Sequence, residues 1–321
     1  MDLGLIWLGI IAFSLLLYVV LDGFALGVAI LFPFLDSKQR DIATSVLLPT
    51  WDGNQTWLVL SLACFYGMFP IAFAFIFPKI YMSAVLLVVM ILLRGICFEF
   101  RLKASEKGIR NWDKLFFISS ITATFLEGYI VGYLIIGYPK ESLTYGFAFQ
   151  VLTGVALIAG YALLGATRLI LKTEGELFEK ARIYAKKCCR ILAILMLLIG
   201  LMTPLYITLP LDNIYKMVVL GEFFVLTIIS FYILWKIIDS KIHALPYWIT
   251  VTIFVLTYLS MLTLIFPYII PYHLTYMEAQ ASQTTLLFTL IPAIIMIPLL
   301  LLYTGYAYFV FKGKVKEKLS Y

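Results

Sequence analysis

Residues 5–34 read LIWLGIIAFSLLLYVVLDGFALGVAILFPF, thirty positions with one charged side chain, Asp22. An α-helix crosses the hydrocarbon core of a bilayer in roughly 20 residues. A run this long, apolar on every side, has no polar stripe to turn toward water and reads as a transmembrane helix. It is interrupted near Asp22-Gly23, where a carboxylate and a helix-weakening glycine stand together. No basic segment precedes it and no A-x-A-like cleavage site follows. It is therefore expected to be a retained first helix rather than a signal peptide.

The remainder of the chain repeats the pattern. Of 321 residues, 63% are hydrophobic and only 13% charged, and the mean hydropathy is +1.01. Soluble domains are about half apolar and about a quarter charged, so a soluble enzyme or binding module is excluded. Beyond the first span, apolar segments run from about Trp51 to the residue before Pro78-Lys79, Ile80 to Phe100, Trp112 to Gly137 and Tyr145 to Leu171. Four more run from about Arg190 to Thr208, Met217 to Ile238, Tyr247 to Phe266 and Thr284 to Phe311. The expected fold is all-α and polytopic, with about nine transmembrane helices in one membrane domain over residues 1–321. Pro292 and Pro298 are expected to kink the last helix.

The net charge of +6 resembles a nucleic-acid signal, but its placement argues against one. Lys and Arg gather after the first, third, fifth and seventh spans and in the tail. The other connections hold only Lys79, Lys140 and Lys216, and residues 267–283 hold none. Such alternation sets orientation, with the C-terminus cytoplasmic and, for nine spans, the N-terminus outside.

Ionisable groups within spans carry the functional information, because each costs a few kcal/mol unless paired or hydrated. Counting residues from the ends of the spans places Asp22, Asp52, Arg94 and Glu99 in the cytoplasmic half. Asp22, Asp52 and Arg94 could form a hydrated charge cluster: a proton path or binding site open to the cytoplasm, or an ion-pair brace between helices. Asp52 stands in Trp51-Asp52-Gly53-Asn54-Gln55-Thr56-Trp57, a polar group richer than a helix cap requires. Trp51, Asn54 and Gln55 are read as its supporting side chains. Glu127 and Glu222 sit nearer the middle and outer half, where either could pair with a neighbouring subunit or carry a proton and stay neutral. Cys64, Cys97, Cys188 and Cys189 lie in apolar runs without C-x-x-C spacing and read as packing residues. The two histidines, His243 and His273, fall in loops on opposite sides, so a bis-histidine b haem within the helices is not expected, nor any other metal site.

These residues carry a resemblance. Asp22-Gly23-Phe24, the Trp51–Trp57 group and Arg94-Gly95-Ile96-Cys97-Phe98-Glu99-Phe100-Arg101 resemble the subunit II family of cytochrome bd quinol oxidases, including its cyanide-insensitive branch. Gly165-Ala166-Thr167-Arg168-Leu169-Ile170-Leu171-Lys172-Thr173-Glu174-Gly175 and the stretch from Leu301 to Gly313 fit as well. The likeness runs along essentially the whole chain.

The resemblance implies two four-helix bundles plus a peripheral helix, in the cytoplasmic (inner) membrane of a prokaryote. It implies a partner, subunit I, that holds two b haems, haem d and the quinol site, with this chain binding no cofactor alone. It further implies that Asp52, with Asp22 and Arg94 beside it, lies on a cytoplasmic proton path, and that Trp57 walls an oxygen path; Glu99, nearer the headgroups, joins that path by its depth alone, or is simply solvated. Membrane lipid, quinone and a small accessory subunit complete the expected partners. Two rival readings remain. One is a purely structural scaffold subunit, and the other a proton-coupled secondary transporter with its ion site at the broken first helix.

Overall fold

A computed structural model describes residues 2–137, 146–206, 213–271 and 273–315. Lys140, the start of the fifth expected span at Tyr145, the end of the sixth at Thr208 and the tail lysines Lys316 and Lys318 lie outside the described residues.

The first apolar run folds as α1 (Leu3–Leu21) and α2 (Gly23–Leu31), followed by a 3-10 turn over Phe32–Phe34. The break between them is a single residue. Asp22 itself keeps right-handed helical angles, its N–H reaching the Tyr18 carbonyl at 2.8 Å and its carbonyl accepting from Leu26 N–H at 3.0 Å. Helix α3 (Ser37–Leu47) was not foreseen. It starts in a capping box, with Asp36 accepting from Gln39 N–H and the Gln39 side chain accepting from Asp36 N–H.

α4 (Trp51–Met68) and α5 (Pro70–Lys103) meet at Phe69, correcting the expected boundary at Pro78-Lys79. Pro78 is inside α5, as membrane helices allow. At 34 residues, α5 is roughly 50 Å long, so its ends project beyond a bilayer core of about 30 Å. Next come α6 (Glu106–Ile135), α7 (Phe147–Lys172), α8 (Gly175–Tyr206), α9 (Ile214–Ile237) and α10 (Leu245–Ile265). The basic residues from Lys180 to Lys187, expected in a loop, are the opening turns of α8. Residues 267–283 hold a two-stranded antiparallel ribbon, β1 (Tyr268–Ile270) with β2 (Leu274–Thr275), and the single turn α11 (Tyr276–Ala279). The chain then enters α12 (Gln283–Val310), a helix assigned without interruption through Pro292 and Pro298.

Among the described residues eight helices are long and apolar enough to cross a membrane. The shorter α4, with 18 residues and a polar first turn, is not one of them. α7 is the most enclosed: 61% of its most apolar window is buried, against 6% for α12. It packs on α2, α6, α8 and α10, whereas α12 touches α1 and α4. The centre is thus built around α7, with α12 at the rim.

The tightest crossing lies between α2 and α7. A Cβ at Gly27 would overlap the Tyr161 carbonyl, and one at Gly165 would overlap the Gly27 backbone. Small residues let membrane helices approach this closely, where dispersion rather than exclusion of water holds them together. Gly23 meanwhile faces the ring of Tyr161.

Tertiary contacts also define two ends. At one, the Tyr276 hydroxyl donates to Asp2 at 2.7 Å, and Ala281 N–H donates to the Met68 carbonyl at 2.8 Å. At the other, the Lys172 ammonium donates to the Phe311 and Gly313 carbonyls, and Lys314 pairs with Glu174 at 3.3 Å.

Candidate functional site

The interior polar groups lie in three layers along α1, α5 and α6. The first is at the basic end. Arg101, in the last turn of α5, is 3% exposed; its Nε donates to Asp113 Oδ1 at 2.6 Å and its Nη1 pairs with Asp41 at 2.8 Å. Arg40 of α3 reaches the other oxygen of Asp113 at 3.1 Å and donates from Nε to the Phe32 carbonyl at 3.0 Å. Four charges thereby tie α3, α5 and α6 beneath the end of α2.

The second layer is the ion pair between Arg94 and Asp22, both 0% exposed. Arg94 stands seven residues before Arg101, two helical turns or about 10 Å along α5. The pair is incompletely satisfied. Asp22 Oδ2 and Arg94 Nε and Nη1 have no hydrogen-bond partner among the described residues. Each such buried atom costs about 1–3 kcal/mol unless water or another chain supplies a partner. Ser120 Oγ on α6 is also buried without a partner.

The third layer is Glu127 of α6, held between two tyrosines. Tyr18 donates to Oε1 at 2.6 Å and Tyr161 to Oε2 at 2.9 Å. Tyr18 is four residues before Asp22, about 6 Å along the helix.

Of the expected site residues, Asp22 and Arg94 are brought together, while Asp52 and Glu99 are not. Trp51, Asn54 and Trp57 turn toward the interior of α4, whereas Asp52, Thr56 and Val59 point away from it. A helix separates residues two apart by about 200°, so burying Asn54 turns Asp52 outward. The buried cluster therefore contains Asp22 and Arg94 without Asp52. Glu99 is likewise exposed, because Arg94, Cys97, Phe98 and Arg101 hold the inner face of α5.

The supporting residues have definite tasks. Asn54 Nδ2 donates to the Leu21 carbonyl at 2.7 Å, beside the break at Asp22, and Asn54 Oδ1 accepts from the Tyr308 hydroxyl at 3.0 Å. Trp51 stacks on Phe98 with centroids 4.9 Å apart. Trp57 is 1% exposed, meets Phe13 edge-on, and has a buried indole N–H with no partner among the described residues. Gln55 also has a buried, unpartnered Nε2. Arg168 lies among Phe24, Tyr247 and Tyr308, at 4.6, 5.1 and 5.3 Å from their centroids.

Sequence reading missed Glu127 and its tyrosines as a unit, and also Asp113. The available signal was the four-residue spacing of Tyr18 and Asp22, which places both on one face of α1. Nothing in the sequence announced that Tyr161 meets them from α7.

The histidines do not fit the axial pair of one haem. His243 precedes α10 and contacts Lys314 at 3.1 Å, while His273 follows α10 in the ribbon turn. The 21-residue helix between them separates their ends by roughly 30 Å.

Comparison with known proteins agrees along the whole chain. Residues 3–311 match the family described as cytochrome bd terminal oxidase subunit II. Subunit 2 of the cytochrome bd-I ubiquinol oxidase of Escherichia coli (strain K12) is 27% identical over 366 aligned positions, covering 98% of this chain and 96% of the relative. Subunit 2 of the cytochrome bd ubiquinol oxidase of Bacillus subtilis (strain 168) is 24% identical, covering 98% and 97%. A chain in the structure of bd oxidase from Geobacillus thermodenitrificans superposes with a TM-score of 0.79 at 15% identity, covering 97% of this chain and 99% of that one. That last likeness concerns the fold alone.

Proposed function

The chain belongs to the cytochrome bd terminal oxidase subunit II family, and we propose that it braces the haem-bearing subunit I and carries cytoplasmic protons toward it. It is a membrane subunit of a quinol oxidase complex. In this reading the two b haems and haem d reside in subunit I, where they supply electron transfer and the reduction of oxygen. The separated histidines of this chain suit that division. Drawing protons for water from the cytoplasm, while quinol oxidation releases protons outside, separates charge without a pump.

The observation that carries the proton role is the buried Asp22–Arg94 pair with its three unpartnered polar atoms. An ion pair that served only to brace would be cheapest with every donor and acceptor satisfied. Asp52, exposed on α4 two residues before the buried Asn54, is proposed as the entry group facing water or subunit I. Glu99, exposed near the end of α5, is proposed to belong to the same entry. Trp57 is proposed to wall an oxygen path between α1 and α4.

The chain is taken as one membrane domain whose ninth span is α4. It is arranged as two four-helix bundles with α12 peripheral, in the bacterial inner membrane, N-terminus outside and C-terminus cytoplasmic. Lipid, quinone and a small accessory membrane subunit are its further proposed partners.

The scaffold reading has its own support, since the same pair joins α1 to α5 directly. Asp52→Asn separates the two. It keeps the side-chain shape and removes the exchangeable carboxyl, and its exposed position spares this chain's packing. A proton role gives an assembled oxidase with full haem content, reducible by quinol, that consumes oxygen slowly. Poor assembly with haem loss favours bracing, and a fully assembled complex at the wild-type rate rejects a proton role for Asp52.

A further inference from the structure

We propose that Glu127 is a proton-holding group on the uptake path, one step deeper than Asp22, with the Tyr18 and Tyr161 hydroxyls as its two sides. This rests on the proton-path reading above. The geometry has three parts. First, Glu127 is not the counter-ion of the site, because Arg94 is already paired with Asp22. Its own partners are two neutral hydroxyls, at 2.6 and 2.9 Å, one on each carboxyl oxygen. Glutamine could hold the same two partners without a charge at mid-membrane, so a bracing role alone gives no reason for a carboxyl here.

Second, the two hydroxyls come from different helices. Tyr18 lies on the Asp22 face of α1. Tyr161 comes from α7, its backbone fixed by the close crossing at Gly27 and its ring lying against Gly23. The carboxyl is thus addressed from two sides, which is what transfer through it requires. Third, Tyr18 of α1 and Tyr161 of α7 hold its two oxygens, with Asp22 about one turn along from Tyr18 and Arg94 of α5 paired to Asp22.

The step is a simple exchange. Tyr18 passes its hydroxyl proton to Oε1 and is refilled from the Asp22 side, which leaves the carboxyl neutral; the carboxyl then turns its O–H toward Tyr161, whose oxygen takes that proton as it releases its own onward. The carboxylate is restored and both tyrosines end neutral.

The test uses the assembled oxidase with Glu127→Gln, Tyr18→Phe and Tyr161→Phe, alongside Asp52→Asn. Haem content and quinol-driven oxygen consumption are measured from mildly acid to mildly alkaline pH. Glu127→Gln is expected to keep full haem and reduction by quinol, to turn over roughly ten-fold more slowly, and to lose part of the wild-type pH dependence. Each Tyr→Phe variant is expected to keep haem and to displace the pH profile by roughly half a unit or more. A Glu127→Gln oxidase with the wild-type rate and pH profile overturns the proposal. If Asp52→Asn is slowed in the same series, the parent reading survives; if it is not, both fall. Should Glu127→Gln fail to assemble, the phenylalanine variants decide: an unmoved pH profile in both overturns the proposal.

Discussion

Asp22 and Arg94 form the most deeply buried ion pair among the described residues, and their energetics separate packing from proton transfer. Replacing Arg94 with Met leaves Asp22 buried without its partner, which costs about 3–5 kcal/mol, whereas replacing both partners with apolar groups is often neutral. The expected outcome is loss of assembled oxidase for Arg94→Met and recovery of thermal stability for the double variant Asp22→Leu/Arg94→Met. Oxygen consumption should stay low in the double variant if the pair conducts protons. Recovery of both stability and turnover, measured on the same preparations, would reduce the pair to a brace. A second residue-scale test lies outside the membrane. The Lys186 ammonium donates to Asp239, with Arg182 alongside at 3.1 Å, and this holds the Asp239 carboxyl below the usual carboxylate range. A depressed carboxylate contributes stability above its unfolded value of about 3.9, and loses it as pH falls through the lower folded value. Asp239→Asn should therefore lower the unfolding temperature slightly at neutral pH. The difference should vanish in strong acid, and it is small because Asp239 is 52% exposed.

Among the helices, the α2–α7 crossing sets the position of Tyr161 and with it the third polar layer. Gly27→Leu would drive a branched side chain into the Tyr161 backbone, where no rotamer avoids the clash. The expected result is little or no assembled complex in a detergent-solubilised membrane fraction. Gly200→Leu is the matched control, since a Cβ there meets nothing within 4 Å, and it should assemble normally. Equal loss from both would show that added bulk in any helix is harmful, and that the crossing is not special. The junction at Asp22 belongs to this scale as well. Because hydrogen bonds run across it, the span stays continuous there, unlike the unwound ion sites of transporters.

For the whole molecule, most of the described basic residues gather at the end where α2, α5, α7, α9 and α12 terminate, with Arg40, Arg101, Lys172, Lys236 and Lys312 among them and Lys216 at the other end. That end should be cytoplasmic. A reporter appended after Tyr321 is expected to behave as cytoplasmic, and one inserted at the ribbon turn beside His273 as external; the reverse pattern would mean that the number of crossings is wrong. Since His243 and His273 sit at opposite ends of α10, changing both to Ala should leave every haem band of the oxidase in place. Loss of one band from an assembled double variant would move a haem ligand into this chain.

Period and composition made the membrane class, the run of apolar helices and the break at Asp22 readable from residues alone, because the bilayer demands long apolar segments with internally satisfied backbones. The same physics put Asp22, Asp52, Arg94 and Glu99 in one half of the membrane. Depth, however, is a coordinate along the helix axis, whereas contact also needs azimuth and a neighbour. Once Asn54 and Trp57 turn inward, α4 carries Asp52 to its outer face, and α5 does the same to Glu99. Only tertiary packing decided that Arg94 reaches Asp22. Only the glycine-lined approach of α7 to α2 decided that Tyr161 meets Glu127 across 34 residues of chain. Contacts between distant helices depend on which small residues let them approach, and no periodicity within one helix records that.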